Sequence, residues 1–311
     1  MVCYFPLQGY RAKSVNESGK RSVVFSRKAG FIDLPVVLPC GRCVGCRLER
    51  SRQWAIRCVH EASLYSDNCF ITLTYSDDHL PKDGSLHVDH FQKFMKRLRF
   101  RCQGFTAVGD QFPIRFFHCG EYGEKFGRPH FHAILFNYDF PDKVLWTIRN
   151  GQNLYRSKIL EELWPFGHSS VGSATFESAA YVARYIMKKQ TGDLAFYHYS
   201  DIDFDTGEVL NTRKPEYTTM SRKPGIGKAW FDRWSSDVFP SDEIIFRGKR
   251  MSVPRYYGDQ YELISPDNYV TIKFKRKKKA KLLAKDNTPD RLAVKLKCKL
   301  AKVEQLVRNY E

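Results

Sequence analysis

The sequence predicts an α+β fold: a central antiparallel sheet with flanking helices, a cysteine-rich segment before it and a basic helical tail after it. Three observations carry this. Residues 114–122 and 129–136 are apolar, strand-like runs separated only by a short polar, glycine-containing turn, the signature of a hairpin. Residues 88–102 set Phe91, Phe94, Met95 and Leu98 at helical spacing, an apolar face for packing on a sheet. The order strand, helix, hairpin, connection, helix then suits helices laid on an antiparallel sheet rather than alternating βαβ units.

Residues 1–40 read as extended and loop-rich, with a hairpin expected near residues 22–33 and a strand at 34–38. Cys40, Cys43 and Cys46 follow in a glycine-containing turn. Residues 47–65 form a helix whose Leu48, Trp54, Ala55, Val59 and Ala62 make the apolar face; its arginines fit a solvated surface or a DNA contact. Residues 69–75 are the first core strand, ended by Asp77, Asp78 and Pro81, and Ser85 introduces the next helix. Beyond the hairpin, residues 145–164 show no clean period apart from a short helix at 159–164. A strand at 169–176 and a helix at 179–189 complete the core. Residues 205–207 (Asp-Thr-Gly) mark a hairpin tip, and residues 244–253 and 257–263 a small appended structure. In the tail, lysines crowd residues 273–281, Thr288-Pro289 starts a helix, and Leu292, Leu296, Leu300, Val303 and Val307 form a stripe. The expected organisation is residues 1–66, cysteine-rich segment and helix; 67–195, core; 196–265, appended region; 266–311, basic helical tail.

The chemistry concentrates in the second hairpin strand. Side chains alternate along a strand, so His130 and His132 share one face while Phe131 points into a core. Two neutral imidazoles side by side can hold one metal ion. Cross-strand neighbours stand about 5 Å apart, so Glu121 can lie opposite the pair; Glu124, nearer the turn, and His118, in another register, are the alternatives. Two imidazoles and a carboxylate form a mixed N/O set that suits Mn²⁺ and tolerates Mg²⁺.

The helix at 179–189 carries Tyr181 and Tyr185 at i and i+4, on one face, with Arg184 and Lys188 beside it. A tyrosine hydroxyl can attack a phosphodiester, its ordinary pKa of about 10 being the handicap; nearby cations hold the phosphate and favour the phenolate. The formal net charge of +17 over 311 residues predicts attraction to a polyanion, and an aromatic content of 14% leaves rings free for stacking on unpaired bases. Basic balance alone also fits a ribosome or a membrane surface. No apolar run approaches a membrane-spanning length and no signal-peptide order opens the chain, so an intracellular protein is expected. Arg222 and Lys223, in a loop with two glycines, and Lys277 and Lys278, in the basic run, are the further DNA-binding candidates. Cys40, Cys43 and Cys46 form a C-x-x-C-x-x-C that wants a fourth ligand for tetrahedral Zn²⁺. Cys3 is preferred, with Cys58, Cys69 and His60 competing, and the zinc would be structural.

Three blocks in order carry a resemblance: Phe70-Ile71-Thr72-Leu73-Thr74-Tyr75, Pro129-His130-Phe131-His132, and Tyr181-Val182-Ala183-Arg184-Tyr185. Together they resemble the HUH endonucleases, in particular the rolling-circle replication initiators of microviruses. The stretches at 39–47, 220–227 and 253–257 look like the gokushovirus type. The resemblance implies an RRM-like core and a metal-dependent nickase and strand transferase. It implies a metal held by His130, His132 and a carboxylate, and catalysis by Tyr181, Tyr185 and Lys188. One tyrosine would attack unpaired origin DNA and form a 5′-phosphotyrosine, leaving a 3′-hydroxyl for a polymerase; the other would act when the strand is resealed. The partners implied are single-stranded or origin DNA and host replication machinery, in the cytoplasm of the infected bacterial host. Two other readings stand beside it: a zinc-containing, non-catalytic nucleic-acid-binding protein, and a plasmid- or transposon-type nuclease of the same chemistry.

Overall fold

The computed structural model describes residues 3–17, 19–103, 114–123, 126–149, 151–184, 189–190, 194–203 and 205–305. In chain order the elements are β1 (Leu7–Ala12), β2 (Val23–Val24), β3 (Gly30–Leu38), α1 (Val44–Ala62), β4 (Asn68–Thr74), α2 (Val88–Gln103), β5 (Arg115–Tyr122) and β6 (Pro129–Phe136). There follow β7 (Val144–Arg149), β8 (Gln152–Arg156), α3 (Lys158–Leu163), β9 (Ser169–Ser173), α4 (Phe176–Arg184) and α5 (Leu194–Tyr199). The remainder comprises β10 (Ser200–Ile202), β11 (Val209–Thr212), β12 (Tyr217–Met220), α6 (Lys228–Val238), β13 (Glu243–Phe246), β14 (Lys249–Ser252), α7 (Arg255–Ile264), α8 (Pro266–Leu282) and α9 (Pro289–Glu304). They divide into two units, one from residues 1–50 and 267–307, the other from 51–266.

The larger unit is an α+β layer structure on a seven-stranded antiparallel sheet, in the order β12-β5-β6-β4-β9-β8-β7. The period of two sorts its side chains. Ile71, Leu73, Phe131, Ala133 and Leu135 face a core built with Phe91, Phe94, Met95 and Leu98 of α2 and with Leu160 and Leu163 of α3. Phe70, Phe117, Ile134 and Phe136 face a second core with Ala55 and Cys58 of α1 and Ala179, Tyr181 and Val182 of α4. Sheet strands buried on both faces read as near-continuous apolar runs, which is why β5 and β6 are so legible. The Ser51 hydroxyl donates to the Ala180 carbonyl at 2.9 Å and ties α1 to α4.

Three local expectations need correction. Residues 22–33 do not form their own hairpin: β2 and β3 both pair with β1. Residues 145–164 are not irregular before the short helix, for β7 and β8 pair as a hairpin at the sheet edge. The turn-rich stretch after α5 also delivers a core strand, β12, which pairs with β5 at Thr219↔His118. The expected tip at residues 205–207 does connect paired strands, β10 and β11.

A buried ion pair anchors the loop after β12. Arg115, on β5, is paired with Glu61 of α1, their side chains 8% and 1% exposed. The second Glu61 oxygen accepts from Gly227 N at 2.6 Å, and Arg115 donates to the Pro224 carbonyl at 2.6 Å. Arg57 is sandwiched between Trp54 and Tyr256, at 4.0 and 3.9 Å, and donates to the Ile226 carbonyl. Removing one partner of so buried a pair costs about 3–5 kcal/mol.

In the smaller unit, β2-β1-β3 is a three-stranded sheet. The lysine-rich run is helical, within α8, where Tyr269 and Ile272 are buried and Lys277 and Lys278 are exposed. Helix α9 opens as expected, with Thr288 as its cap accepting from Arg291 N.

Candidate active site

The register of the hairpin sets the site. Glu121 on β5 stands directly opposite His130 on β6, and Cys119 opposite His132; on the other side Thr72 pairs with His132 and Thr74 with His130. His132 and Glu121 are each only 2% exposed. A His132 Nε2–Glu121 Oε1 hydrogen bond of 2.8 Å joins them, and Nδ1 is engaged by the Thr72 hydroxyl at 3.0 Å. With both ring nitrogens bonded, the imidazole is fixed in orientation, the role outer partners play around a ligating histidine. Strand alternation in the Ile71-Thr72-Leu73 run carries the signal for Thr72, which sequence reasoning passed over.

His130 lies at the mouth of the hairpin, half-buried, its ring centroid 6.4 Å from that of His132. A side chain on Gly123 would begin 3.0 Å from His130 Nε2 and 3.1 Å from Cε1, so only glycine lets the turn close this tightly over the ring. The alternative ligand His118 is excluded by the pleat: it is on the opposite face, stacked on Phe91 at 3.5 Å and bonded to Thr219. Burial in that apolar stack pushes its pKa well below the ordinary histidine value. Glu124 lies outside the described residues.

Helix α4 brings Tyr181 to this face. Its ring meets His132 edge-on, with centroids 5.2 Å apart, and stands 6.3 Å from Phe70. Tyr181 is 7% exposed, and Arg184, at the described end of α4, is half-buried. Tyr185 and Lys188 lie outside the described residues. Beside the histidine turn runs a cleft of about 400 Å³ lined by Tyr122, Gly123, Gly127, His198, Arg213 and Glu216. Arg213, which the sequence did not single out, stacks over Tyr122 at 5.4 Å. Arg222 and Lys223 project outward from the loop anchored by Arg115 and Glu61, both exposed.

Two groups of described residues gather three or more metal-ligating atoms within 4.8 Å of one another, and each is compatible with metal binding. One is Cys3, Cys40, Cys43 and Cys46, in the smaller unit. Of the competing ligands, Cys58 and Cys69 are fully buried in the two cores of the larger unit, and His60 is bonded to the Tyr257 hydroxyl at 2.9 Å. The other group, His87, Asp89 and His90, was missed, although three donors within four residues at a helix start are visible in the sequence. His90 there is bonded to Tyr75 at 2.7 Å and His87 to Asp83 at 3.2 Å. His130, His132 and Glu121 do not form such a group; Glu121 and His132 are instead hydrogen-bonded directly.

An antiparallel sheet carrying paired histidines opposite a glutamate, with a tyrosine helix laid on them, defines a class, and comparison with known proteins supplies it. The chain belongs to the family of phage replication-associated proteins. The family described as replication-associated protein ORF2 matches residues 68–190, the stretch from β4 through α4. Over 287 residues the chain is 35% identical to replication-associated protein VP4 of Bdellovibrio phage phiMH2K, covering 91% of this chain and 84% of that one. It is 32% identical over 256 residues to replication-associated protein ORF2 of Spiroplasma virus 4, covering 78% and 74%. It is also 30% identical over 253 residues to replication-associated protein ORF4 of Chlamydia phage 1, covering 79% and 59%. All three relatives come from microviruses. No solved structure matches. No described helix is long and apolar enough to cross a membrane.

Proposed function

We propose that this chain initiates rolling-circle replication by nicking single-stranded or unpaired origin DNA with a tyrosine, and later reseals the strand. The observation that carries the reading is the stack Tyr181–His132–Glu121 on one sheet face, with His130 across from Glu121, inside the segment matched by the replication family.

The tyrosine oxygen attacks the scissile phosphorus, the bond from phosphorus to the 3′ oxygen breaks, and the departing oxygen takes a proton to become a 3′-hydroxyl. The product is a 5′-phosphotyrosine. It is still a phosphodiester, so the reverse transfer to a 3′-hydroxyl needs no ATP. The donor set, two imidazoles and a carboxylate on one face, fits Mn²⁺ and tolerates Mg²⁺. Held by His130, His132 and Glu121, such an ion would supply charge stabilisation for the developing phosphate oxygens. Thr72 and Glu121 fix the His132 ring, and the Gly123 turn positions His130. Arg184 and Lys188 would hold the phosphate and favour the phenolate; Arg222, Lys223, Lys277 and Lys278 would follow the DNA backbone. Two tyrosines one helical turn apart would allow a second transfer without release of the DNA. Host machinery would extend the 3′ end in the infected bacterium. The phage origin of the relatives favours this over the plasmid or transposon type.

The test is a denaturation-resistant protein–DNA adduct on origin-bearing single-stranded DNA with Mn²⁺. The reading expects it in the native chain and not after Tyr181→Phe with Tyr185→Phe, DNA binding being retained. No adduct in the native chain, with tight binding, would favour a non-catalytic nucleic-acid-binding protein.

A further inference from the structure

Residues 3–38 cannot hold themselves together by burial. Among those described, only Cys3, Gly9, Ala12 and Gly30 are buried, while Leu7, Ile32, Leu34 and Val37 are 44–65% exposed. A three-stranded sheet with so little core needs another restraint. The pairing Leu7↔Leu38 shows where one is placed. Continued outward, this antiparallel register sets Cys3, just before β1, against the turn after β3 that carries Cys40 and Cys43.

The four sulfurs converge there. Cys40 and Cys46 Sγ are 4.0 Å apart, as are Cys43 and Cys3 Sγ, and all four lie within 4.8 Å of one another. A disulfide needs about 2.05 Å. A single tetrahedral ion with metal–sulfur bonds of about 2.3 Å has sulfur–sulfur edges of about 3.8 Å. Thiolates of an iron–sulfur cluster, bound to separate irons, stand further apart. Gly41, at φ +74°, turns the chain between the first two cysteines. Backbone N–H groups then point at sulfur: Cys40 N at Cys3, Cys43 N at Cys40 and Tyr4 N at Cys43, at 3.2, 3.3 and 3.5 Å. Such donors stabilise thiolates rather than thiols. Cys46 lies in the first turn of α1, where the helix dipole favours negative charge.

We infer that Cys3, Cys40, Cys43 and Cys46 bind one structural Zn²⁺ that staples the start of β1 to the turn after β3. The site has no open coordination position, so it takes no part in cutting DNA, and the inference does not depend on the nickase reading.

The test is elemental analysis of the full chain, purified under reducing conditions without chelator, followed by Co²⁺ exchange. One zinc per chain is expected, and a cobalt form with thiolate charge-transfer absorption and the intense visible bands of a tetrahedral tetrathiolate. Cys43→Ser should lose the metal or shift those bands, whereas Cys298→Ser, at an exposed cysteine, and His130→Ala should leave both unchanged. Should the cysteine variant fail to fold, X-ray absorption on the native zinc form decides, with four sulfurs at about 2.3 Å expected. A metal-free native chain that shows no thiolate–cobalt bands would overturn the proposal. So would iron with acid-labile sulfide, or zinc ligated by nitrogen.

Discussion

The Tyr181 ring stands edge-on to the His132 imidazole, their centroids 5.2 Å apart and their planes at 82°. The contact joins an α4 side chain to a sheet side chain whose other neighbours are Glu121 and Thr72. A phenol held against a fixed imidazole is poised to act on whatever the histidine face holds, and the proposals about this site turn on that proximity.

If that face holds the ion, its ligands should show it. Glu121→Gln keeps the shape and the His132 hydrogen bond but removes the charge. We expect it to raise the Mn²⁺ concentration needed for half-maximal nicking by about 10-fold or more, a loss typical of altered metal surroundings. His130→Ala should abolish nicking at limiting Mn²⁺. A metal titration of initial rates checks both, and unchanged titration curves would remove these residues from the metal site.

Gly123 predicts a subtler defect. A methyl group there would press on His130 at 3.0–3.1 Å, and a ring must yield by a few tenths of an ångström. Gly123→Ala should therefore weaken nicking while leaving the thermal midpoint within a few degrees of native. Full activity in that variant would show that the position of His130 is not critical.

The exposed pair Arg222 and Lys223 sits on a loop clamped from beneath by Glu61, Arg115 and Arg57. If both contact phosphates, changing both to alanine should lower the slope of log affinity against log salt by about 1.4, at about 0.7 per contact on single strands. Fluorescence anisotropy at several salt concentrations measures this; an unaltered slope would leave the loop as plain surface.

His60 gives the pH dependence of stability. It is stacked on Trp230 at 3.5 Å, and burial lowers its pKa from 6.5 to about 4. The folded protein keeps it neutral while the unfolded chain protonates. Its contribution is thus fully present above pH 6.5 and is lost as pH falls toward 4, a change of up to about 3 kcal/mol. Urea midpoints at pH 7 and pH 4.5 should differ less in His60→Gln than in the native chain; equal differences would contradict the assignment.

Much of this site was legible because its signals are local. An alternating or continuous apolar run with two histidines fixes β6 and its faces, a short glycine turn fixes the partner strand, and i, i+4 spacing fixes the tyrosine face. Even the preferred fourth cysteine, Cys3, follows from counting donors, although its convergence with Cys40 depends on the β1–β3 register. The β7–β8 hairpin was not legible. Its Val144-Leu145-Trp146 run is exposed and a register shift falls between Leu145 and Thr147, so no period of two survives. Strand β12 is four residues long, too short for a pattern, and is recruited by β5 rather than by its own sequence. The Gly123 contact and the Glu61–Arg115 anchor join residues whose proximity only the folded chain creates.

The account's central claim is a bond between a tyrosine of this helix and DNA. The most direct measurement is to trap the protein on origin-bearing single-stranded DNA with Mn²⁺, digest both components, and sequence the modified peptide by mass spectrometry. The account predicts a 5′-linked nucleotide on Tyr181 or Tyr185, absent from the doubly substituted chain. A nucleotide attached to any other residue, or an adduct undiminished by the double substitution, would contradict it.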